Sequence, residues 1–214
     1  MKIGVIGSGE VGKALGKGFI KHGHEVMMGT NDKAKHAALK EATGGKAKVG
    51  TFEEAAAFGE AVVLATKGSA AEAALKSAGI ANLKGKTVID VNNPIADAPP
   101  EKGVLKFFTN LEGSLMERLQ KLAPEAHFVK AWSCVGSNLM VNPDFGGVKP
   151  TMFICGNDAG AKKQVAGLLT VFGFEAEDLG DAEAARAIEP LCILWCIPGF
   201  LRNDWMHAFK LLKK

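Results

Sequence analysis

Three glycines stand at the spacing G-x-G-x-x-G close to the start of the chain, at Gly7, Gly9 and Gly12. The apolar run KIGVI precedes them, and an apolar stripe at helical spacing follows over residues 10–21. In such a strand–turn–helix the first glycine permits the tight turn, the second lets a diphosphate approach, and the third lets the helix pack on the strand. The spacing therefore predicts a cradle for the diphosphate of a dinucleotide, held by free N–H groups of the first helical turn. A β–α turn that binds nothing is the structural alternative.

The residues that follow the second predicted strand, EVMMGT, indicate which dinucleotide would bind. An NAD site usually places Asp or Glu there, because a carboxylate binds the adenosine ribose hydroxyls. Here the position falls near Gly29, and Thr30, Asn31 and Lys35 follow it. Hydroxyl, amide and ammonium groups suit a 2′-phosphate, which a carboxylate would repel. We therefore expect NADP(H) as the cofactor. NAD stays the alternative, because Asp32 lies close enough to act as the ribose ligand.

The carboxyl ends of the other predicted strands should carry the rest of the site, since cofactors lie across these ends in parallel sheets. The fourth and fifth strands end in side chains that we expect to border the ribose, the diphosphate and the nicotinamide: Ala65, Thr66, Lys67, Asn92, Asn93 and Pro94. A wall for the second substrate is predicted from four further residues, for which ordinary core packing is the alternative: Trp132, Ser133, Leu191 and Trp195.

No catalytic residue can be assigned, because the chain shows no obvious set of side chains for proton transfer. Its five histidines are interpreted as structural. Hydride transfer between two planar rings needs mainly orientation, stacking and exclusion of water. The sequence therefore favours an NADP-dependent oxidoreductase that acts on a small-molecule redox substrate. Two alternatives are a small imine or carbonyl reductase and a non-catalytic module that binds or senses NADP.

The elements that must position these residues alternate between short apolar strands and helices. With 214 residues, of which 47% are hydrophobic, the chain can bury a sizeable core. We predict an α/β fold: a Rossmann-type, doubly wound, mostly parallel sheet with a short C-terminal α/β extension that ends in two helices. Residues 1–125 would form the dinucleotide-binding core, and residues 126–214 a continuation packed on the same sheet. Pro198 and Gly199 are expected to separate the two last helices, and Ser114 with Glu117 forms a capping box.

Composition disfavours several classes of partner. The formal net charge is only +3, which does not favour nucleic-acid binding. We see no targeting segment and no apolar run that approaches the roughly 18–20 residues of a membrane span. The four cysteines form no C-x-x-C pair, so we expect no metal and a reducing, cytoplasmic location. The large apolar load of the C-terminal helices predicts a homodimer surface.

Five segments together resemble one family: the first thirty residues, TVIDVNNP, FVKAWSCVGSNLM, GNDAGAKK and ARAIEPLCILW. They are similar to the deazaflavin (coenzyme F-420)-dependent NADP oxidoreductases and their bacterial relatives, and to the cytosolic domain of six-transmembrane ferric reductases. The resemblance implies hydride transfer between NADPH and a deazaflavin or flavin-like compound. It places NADP contacts at these positions: Gly7, Ser8, Gly9, Glu10, Val11, Thr30, Asn31, Lys35, Thr66 and Asn92. Archaeal members carry Ser-Arg where this chain has Thr30 and Asn31.

Overall fold

A sheet of six parallel strands forms the centre of the computed structural model, which describes residues 1–214. The strands are β1 (Lys2–Ile6), β2 (Glu25–Gly29), β3 (Lys48–Gly50), β4 (Ala61–Leu64), β5 (Thr87–Asp90) and β6 (His127–Lys130). They lie in the order β3-β2-β1-β4-β5-β6. The winding therefore reverses between β1 and β4, as in doubly wound dinucleotide-binding folds. This order confirms the predicted fold class.

Eight helices accompany the strands. They are α1 (Glu10–Lys21), α2 (His36–Ala42), α3 (Phe52–Phe58), α4 (Ala71–Ala78), α5 (Leu115–Leu122), α6 (Ala159–Val171), α7 (Ala185–Ile188) and α8 (Leu191–Arg202). The predicted extent of α1 is confirmed. The capping box at the start of α5 is also confirmed, because Ser114 Oγ accepts the N–H of Glu117 and the Glu117 carboxylate accepts the N–H of Ser114.

Both faces of the central sheet are buried, as the apolar strands predict. Alternate residues of a strand point to opposite faces, so Val5 and Val63 join one hydrophobic cluster while Ile6 and Leu64 join the other. Helices α1 and α6 contribute to the first cluster, and α4 and α5 to the second. Each fully buried aliphatic side chain stabilises the fold by roughly 1.5–3 kcal/mol relative to its exposed state.

The C-terminal strands form a small sheet of their own. Strands β7 (Thr151–Ile154) and β8 (Glu175–Asp178) pair in parallel around α6. A single antiparallel bridge between Lys130 and Cys155 joins this pair to the end of β6. The ladder therefore does not continue across the six-stranded sheet as we expected. The boundary at residues 125 and 126 stays a prediction.

The last helix begins and ends earlier in the chain than the sequence predicts. Helix α8 runs through Pro198 and Gly199 and ends before Asn203, which has a left-handed φ of 55°. The predicted helix over residues 200–214 was therefore wrong beyond Arg202. The tail instead lies along β7, where Thr151 N donates to the Phe209 carbonyl at 2.8 Å. Hydrogen bonds to this strand override the helical pattern of the tail.

The helical stretch that contains α7 and α8 corrects a further expectation. The stretch spans 21 residues, Ala182–Arg202, and its most apolar 18-residue window has a mean hydropathy of 1.4, so by length and composition alone it could cross a membrane. Buried core helices of soluble proteins satisfy the same criterion. In this structure 33% of that window is buried, and Cys192, Trp195 and Cys196 pack with Leu105 in a small third cluster.

Candidate functional site

The three glycines of the β1–α1 turn have three distinct surroundings. Gly7 has a left-handed φ of 138°, and a Cβ atom there would overlap the carbonyl oxygen of Ala65. A Cβ atom on Gly12 would overlap the carbonyl oxygen of Gly7, so close packing of helix on strand excludes it. Gly9 differs, because a Cβ atom there would meet nothing within 4 Å. It would project instead into the open space in front of the turn.

That open space lies at the N-terminus of α1. Gly9 is the N-cap of this helix and supplies no side-chain hydrogen bond, so no side chain of the cap occupies the first-turn N–H groups. Together with the helix dipole these groups form a site for an anion. Glu10 is exposed beside them, and its hydrogen bond to Lys13 Nζ at 2.7 Å holds the pKa of Glu10 below its usual value. The ion pair with Lys13 offsets the repulsion that this carboxylate would exert on a phosphate.

Most polar atoms of the residues after β2 form hydrogen bonds or ion pairs with neighbouring residues of the same segment. Thr30 is buried, and its Oγ1 accepts the N–H of Asp32 at 3.2 Å. Asp32 Oδ1 accepts the N–H of Ala34 at 3.0 Å, and its Oδ2 lies 3.8 Å from Lys35 Nζ. The carboxylate therefore caps the short 3-10 turn that follows, and the Lys35 ammonium remains more than half exposed.

Asn31 acts as a brace between two helices. Its Nδ2 donates to Ser77 Oγ at 2.7 Å, and its Oδ1 accepts the N–H of Phe52 at 3.2 Å. Both ends of the amide are thus occupied by the protein. The sequence predicts that Asn31 faces a 2′-phosphate, but its Oδ1 and one proton of its Nδ2 are taken up by protein atoms.

A cleft of ≈ 330 Å³ opens between Val11, in the first turn of α1, and the ends of β4 and β5; Gly7, Gly9 and Gly12 do not line it. Its lining includes six of the predicted residues: Val11, Ala65, Thr66, Lys67, Asn92 and Asn93. Pro94 is buried beside it and does not line it, and its carbonyl accepts the N–H of Phe108 at 2.9 Å. The strand order thus brings together residues that are more than 80 positions apart in the chain.

Asn92 is fixed on every side by the protein. Its Oδ1 accepts Thr66 N at 2.9 Å, and its own N and Nδ2 both donate to Asp90 Oδ1 at 3.0 Å. Its carbonyl accepts Lys130 Nζ at 2.9 Å. Asn92 therefore ties the ends of β4, β5 and β6 to each other. Most of its hydrogen-bonding capacity is used within the protein.

Asn93 has the free capacity that Asn92 lacks. Its Nδ2 donates to the Ser133 carbonyl at 2.7 Å, which fixes the orientation of the amide. Its Oδ1 is buried without a hydrogen-bond partner, and so is Ser133 Oγ. Buried polar atoms are rarely left unpaired in native proteins. Asn93 lines the cleft, so its Oδ1 is a candidate contact for a ligand there, whereas Ser133 is buried and does not line the cleft.

The predicted wall for the second substrate does not form as a unit. Trp132 is a core residue: its indole packs 5.4 Å from the Phe172 ring, and its Nε1 donates to the Met140 carbonyl. Trp132 lies two residues beyond the end of β6 and has a left-handed φ of 53°, a backbone conformation that sequence patterning cannot predict. Trp195 packs 5.1 Å from the ring of His207 in the tail, and Leu191 packs against the first cluster. None of the four predicted residues, Trp132, Ser133, Leu191 and Trp195, lines the cleft.

Sequence reasoning missed a fully buried charged group beneath the cleft. Lys130 Nζ lies 2.6 Å from Asp90 Oδ2 and 2.9 Å from Glu189 Oε1. Burial opposes the charge on Lys130, but the two carboxylates outweigh this effect and raise the pKa of Lys130 above its usual value. The signal was present in the sequence, because Asp90 and Lys130 are ionisable residues that end otherwise apolar strands, and Glu189 lies in the ARAIEPL segment.

Comparison with known proteins assigns the family. The profile of the family described as coenzyme F420-dependent NADP oxidoreductase matches residues 2–94. A crystal structure of a candidate F420-dependent NADP-reductase from Arthrobacter sp. FB24 is 33% identical, with each chain covered in full and a TM-score of 0.92. This chain belongs to the coenzyme F420-dependent NADP oxidoreductase family. The predicted family and the predicted class of enzyme, an NAD(P)-dependent oxidoreductase, are thereby confirmed.

Two more distant relatives extend the comparison. Metalloreductase STEAP3 of Rattus norvegicus is 29% identical over 205 residues, which cover 94% of this chain and 39% of that protein. The chain thus spans about two fifths of the length of this curated relative. An imine reductase from Streptomyces aurantiacus is 19% identical with a TM-score of 0.68, over 94% of this chain and 63% of that one. At this identity the likeness concerns the fold alone.

Proposed function

We propose that this chain binds NADP(H) across the cleft and transfers a hydride between it and a second small-molecule acceptor, a deazaflavin or flavin-like compound. The observation that carries the proposal is the open space at Gly9, in front of a helix N-terminus that no side chain caps. A diphosphate suits this place, because the backbone can approach it closely and the N–H groups point toward it.

The surroundings of Asp32 support NADP(H) over NAD(H). Its carboxylate caps the 3-10 turn and faces Lys35, so it is less available to ribose hydroxyls. Thr30 Oγ1 accepts the N–H of Asp32 and donates to no protein group, and Lys35 supplies a positive charge at an exposed position. A 2′-phosphate would be held by these two groups.

At the other end of the cleft, Asn93 would orient the nicotinamide, and the Ser133 carbonyl fixes the Asn93 amide from behind. A primary carboxamide carries two N–H donors, so it can satisfy the unpaired Asn93 Oδ1. When bound, the reduced nicotinamide supplies two electrons and one proton as a hydride. The protein then has to hold the ring and exclude water, which agrees with the absence of an assigned acid or base.

A neighbouring groove of ≈ 610 Å³ offers room for the acceptor. It shares Gly68, Ser69, Ala96 and Asp97 with the cleft. Phe108 presents a partly exposed ring there, with the Arg118 guanidinium 5.7 Å from its centroid and Lys76 also in the lining. A flat acceptor would fit beside this ring, and the lining carries two cations and two carboxylates, Glu72 and Asp97. The groove supports an acceptor larger than a simple carbonyl compound.

The test of the cofactor site is Gly9→Val. Valine fits the extended backbone at this position (φ −78°, ψ −177°) but would fill the space meant for the diphosphate. We expect NADPH affinity, measured by calorimetry, to fall about a hundredfold, which corresponds to about 2.7 kcal/mol. Gly167→Val is the matched control, because Gly167 is an exposed residue of α6 with nothing within 4 Å of its Cβ position. Equal NADPH affinity in both variants would refute the cradle.

The identity of the acceptor is tested by turnover. NADPH oxidation is followed with deazaflavin, flavin, ferric chelate, imine and carbonyl compounds. Turnover with a deazaflavin or flavin supports the proposal, and turnover with imines or carbonyls alone favours the reductase alternative. Tight binding of NADPH without any acceptor favours a sensing module.

We further propose a cytoplasmic homodimer that acts without nucleic acid or membrane. Helix α8 exposes Leu194 by 54%, Phe200 by 43% and Leu201 by 55%, an apolar surface that a second copy would cover. All four cysteines are free and buried, which suits a reducing compartment. Sedimentation equilibrium that shows only monomer would contradict the dimer, and recovery in the membrane fraction would contradict the location.

A further inference from the structure

The buried ammonium of Lys130 contacts three oxygen atoms: it donates a hydrogen bond to the Asn92 carbonyl and forms ion pairs with the carboxylates of Asp90 and Glu189. The three oxygen atoms are Asp90 Oδ2 at 2.6 Å, Glu189 Oε1 at 2.9 Å and the Asn92 carbonyl at 2.9 Å. Lys130 and Asp90 are completely buried, and Glu189 is 1% exposed. The group carries three charges in the interior, just beneath the floor of the cleft.

Asp90 and Asn92 connect the buried Lys130 to the cleft. Asp90 Oδ1 accepts both N and Nδ2 of Asn92, while Lys130 holds the carbonyl of the same residue. The backbone N–H and the carbonyl of Asn92 are therefore both held by hydrogen bonds. The next residue is Asn93, whose unpaired Oδ1 is the candidate contact to the nicotinamide. The orientation of the Asn93 backbone is thus set by Asp90 and Lys130.

The third partner extends the group to the C-terminal part of the chain. Glu189 lies between α7 and α8, and its carboxylate accepts the N–H groups of Leu115 and Met116 at 3.0 Å each. These N–H groups belong to the free first turn of α5. Glu189 therefore connects the junction of α7 and α8, the start of α5 and the lysine below the cleft.

Stability alone does not account for such a group. Removing charges from water costs several kcal/mol per ion, and well-packed apolar residues of similar volume often stabilise a core as much or more. What apolar side chains cannot supply is a fixed direction for a neighbouring peptide. Here the direction that is fixed belongs to the Asn92–Asn93 turn.

We propose that Glu189, acting through Lys130, is a positioning residue that holds the Asn92–Asn93 turn in the orientation that receives the nicotinamide half of the cofactor. This inference rests on the proposed function, because it takes the cleft as the NADP(H) site. It assigns Glu189 and Lys130 no contact with the cofactor. Their effect should be confined to the nicotinamide end, since the glycine turn and Lys35 lie outside the group.

The test compares two ligands on the full chain by calorimetry: NADPH, and 2′,5′-ADP, which lacks the nicotinamide half. In Glu189→Gln the side chain keeps its volume and loses its charge, so Lys130 loses one of its two counter-charges. We expect NADPH affinity to fall about tenfold and 2′,5′-ADP affinity to change less than twofold. Glu189→Asp keeps the charge on a shorter side chain and should show the same selectivity with a smaller loss; it serves as the readout where Glu189→Gln does not fold.

Glu117→Gln is the matched control. Glu117 is the other carboxylate at the start of α5 and bonds to Arg186 of α7, but none of its hydrogen bonds reaches Asn92. We expect both ligands to bind it as they bind the unmodified chain. Equal losses for the two ligands in the Glu189 variants, or the same selective loss in Glu117→Gln, would overturn the inference and leave the proposed function standing. An unmodified chain that binds neither ligand would overturn both.

Discussion

The glycine turn and the C-terminal segment differ in how their geometry is specified. At the glycine turn, the conformation follows from Gly7, Gly9 and Gly12 and from the elements on either side, all within residues 2–21. In the segment from α8 to the tail, the conformation depends on distant partners: Trp195 packs on His207, and Phe209 bonds to Thr151 of β7. Residue spacing within one segment can be recognised in a sequence, whereas a contact with a residue about sixty positions away cannot.

The largest expected effect is on stability, and it compares a tryptophan of the central core, Trp132, with one of the C-terminal segment, Trp195. Trp132→Ala removes an indole that is 1% exposed and packs against Phe19 and Phe172, so we expect a loss of about 3–5 kcal/mol in the free energy of unfolding. Denaturant unfolding measures it. Trp195→Ala, at the edge of the small third cluster, should cost less. If the Trp132→Ala protein is stable but its turnover is impaired, Trp132 would belong to the substrate site after all.

An intermediate effect is expected on cofactor affinity, and it tests the residues that follow β2 in the dinucleotide-binding half of the chain. Lys35→Glu places a negative charge where the 2′-phosphate is expected, at an exposed position that should not alter folding. We expect NADPH affinity to fall about tenfold, which corresponds to about 1.4 kcal/mol, and NADH affinity to fall much less. Lys40→Glu on α2 is the control, also exposed but outside the proposed phosphate contacts. Equal losses for NADPH and NADH would contradict the phosphate assignment.

The smallest effect concerns the link between α5 and α7. A hydrogen bond from Arg186, supported by the Ser114 N–H and hydroxyl, lowers the pKa of Glu117 to about 2 from its ordinary value of 4.5. Because this pKa is lower in the folded state, its stabilising contribution is complete above about pH 4.5 and is lost as the pH falls toward 2. Arg186 is partly exposed, so solvent screening limits the contribution to about 1 kcal/mol.

Unfolding at several pH values measures this contribution. The difference in stability between the unmodified chain and Glu117→Gln should be largest above pH 4.5 and should shrink toward pH 2. A difference that stayed constant with pH would show that Glu117 acts through packing and not through its charge.

The fold could be predicted well because its signals are local. Buried strands such as AVVL, the helix after the glycine turn and the Ser114–Glu117 box each lie within a few residues. The site could be predicted only in part. The ends of β4 and β5 line one cleft, and their contact with a cofactor stays a prediction. The hydrogen-bonding groups of Asn92, however, are bonded to Asp90, Thr66 and Lys130.

Three of the wrong or missing assignments share one physical cause. Trp132 turns into the core through a left-handed backbone, Glu189 meets Lys130 across 59 positions, and the tail leaves the helix for the side of β7. Each depends on a tertiary contact that outweighs the local pattern. The segments that carry the family resemblance did contain Lys130 and Glu189, yet resemblance alone gave them no role.

The course of the tail also has a consequence for solubility. Strand β7 pairs with β8 on one side, and its other side meets β6 only at the bridge near Cys155. The tail covers the opposite end of that side through Phe209 and Leu211, which both bond to Thr151. An uncovered strand edge recruits strands from other molecules. Proteolytic trimming beyond Asn203 should therefore expose this edge and cause self-association through β7.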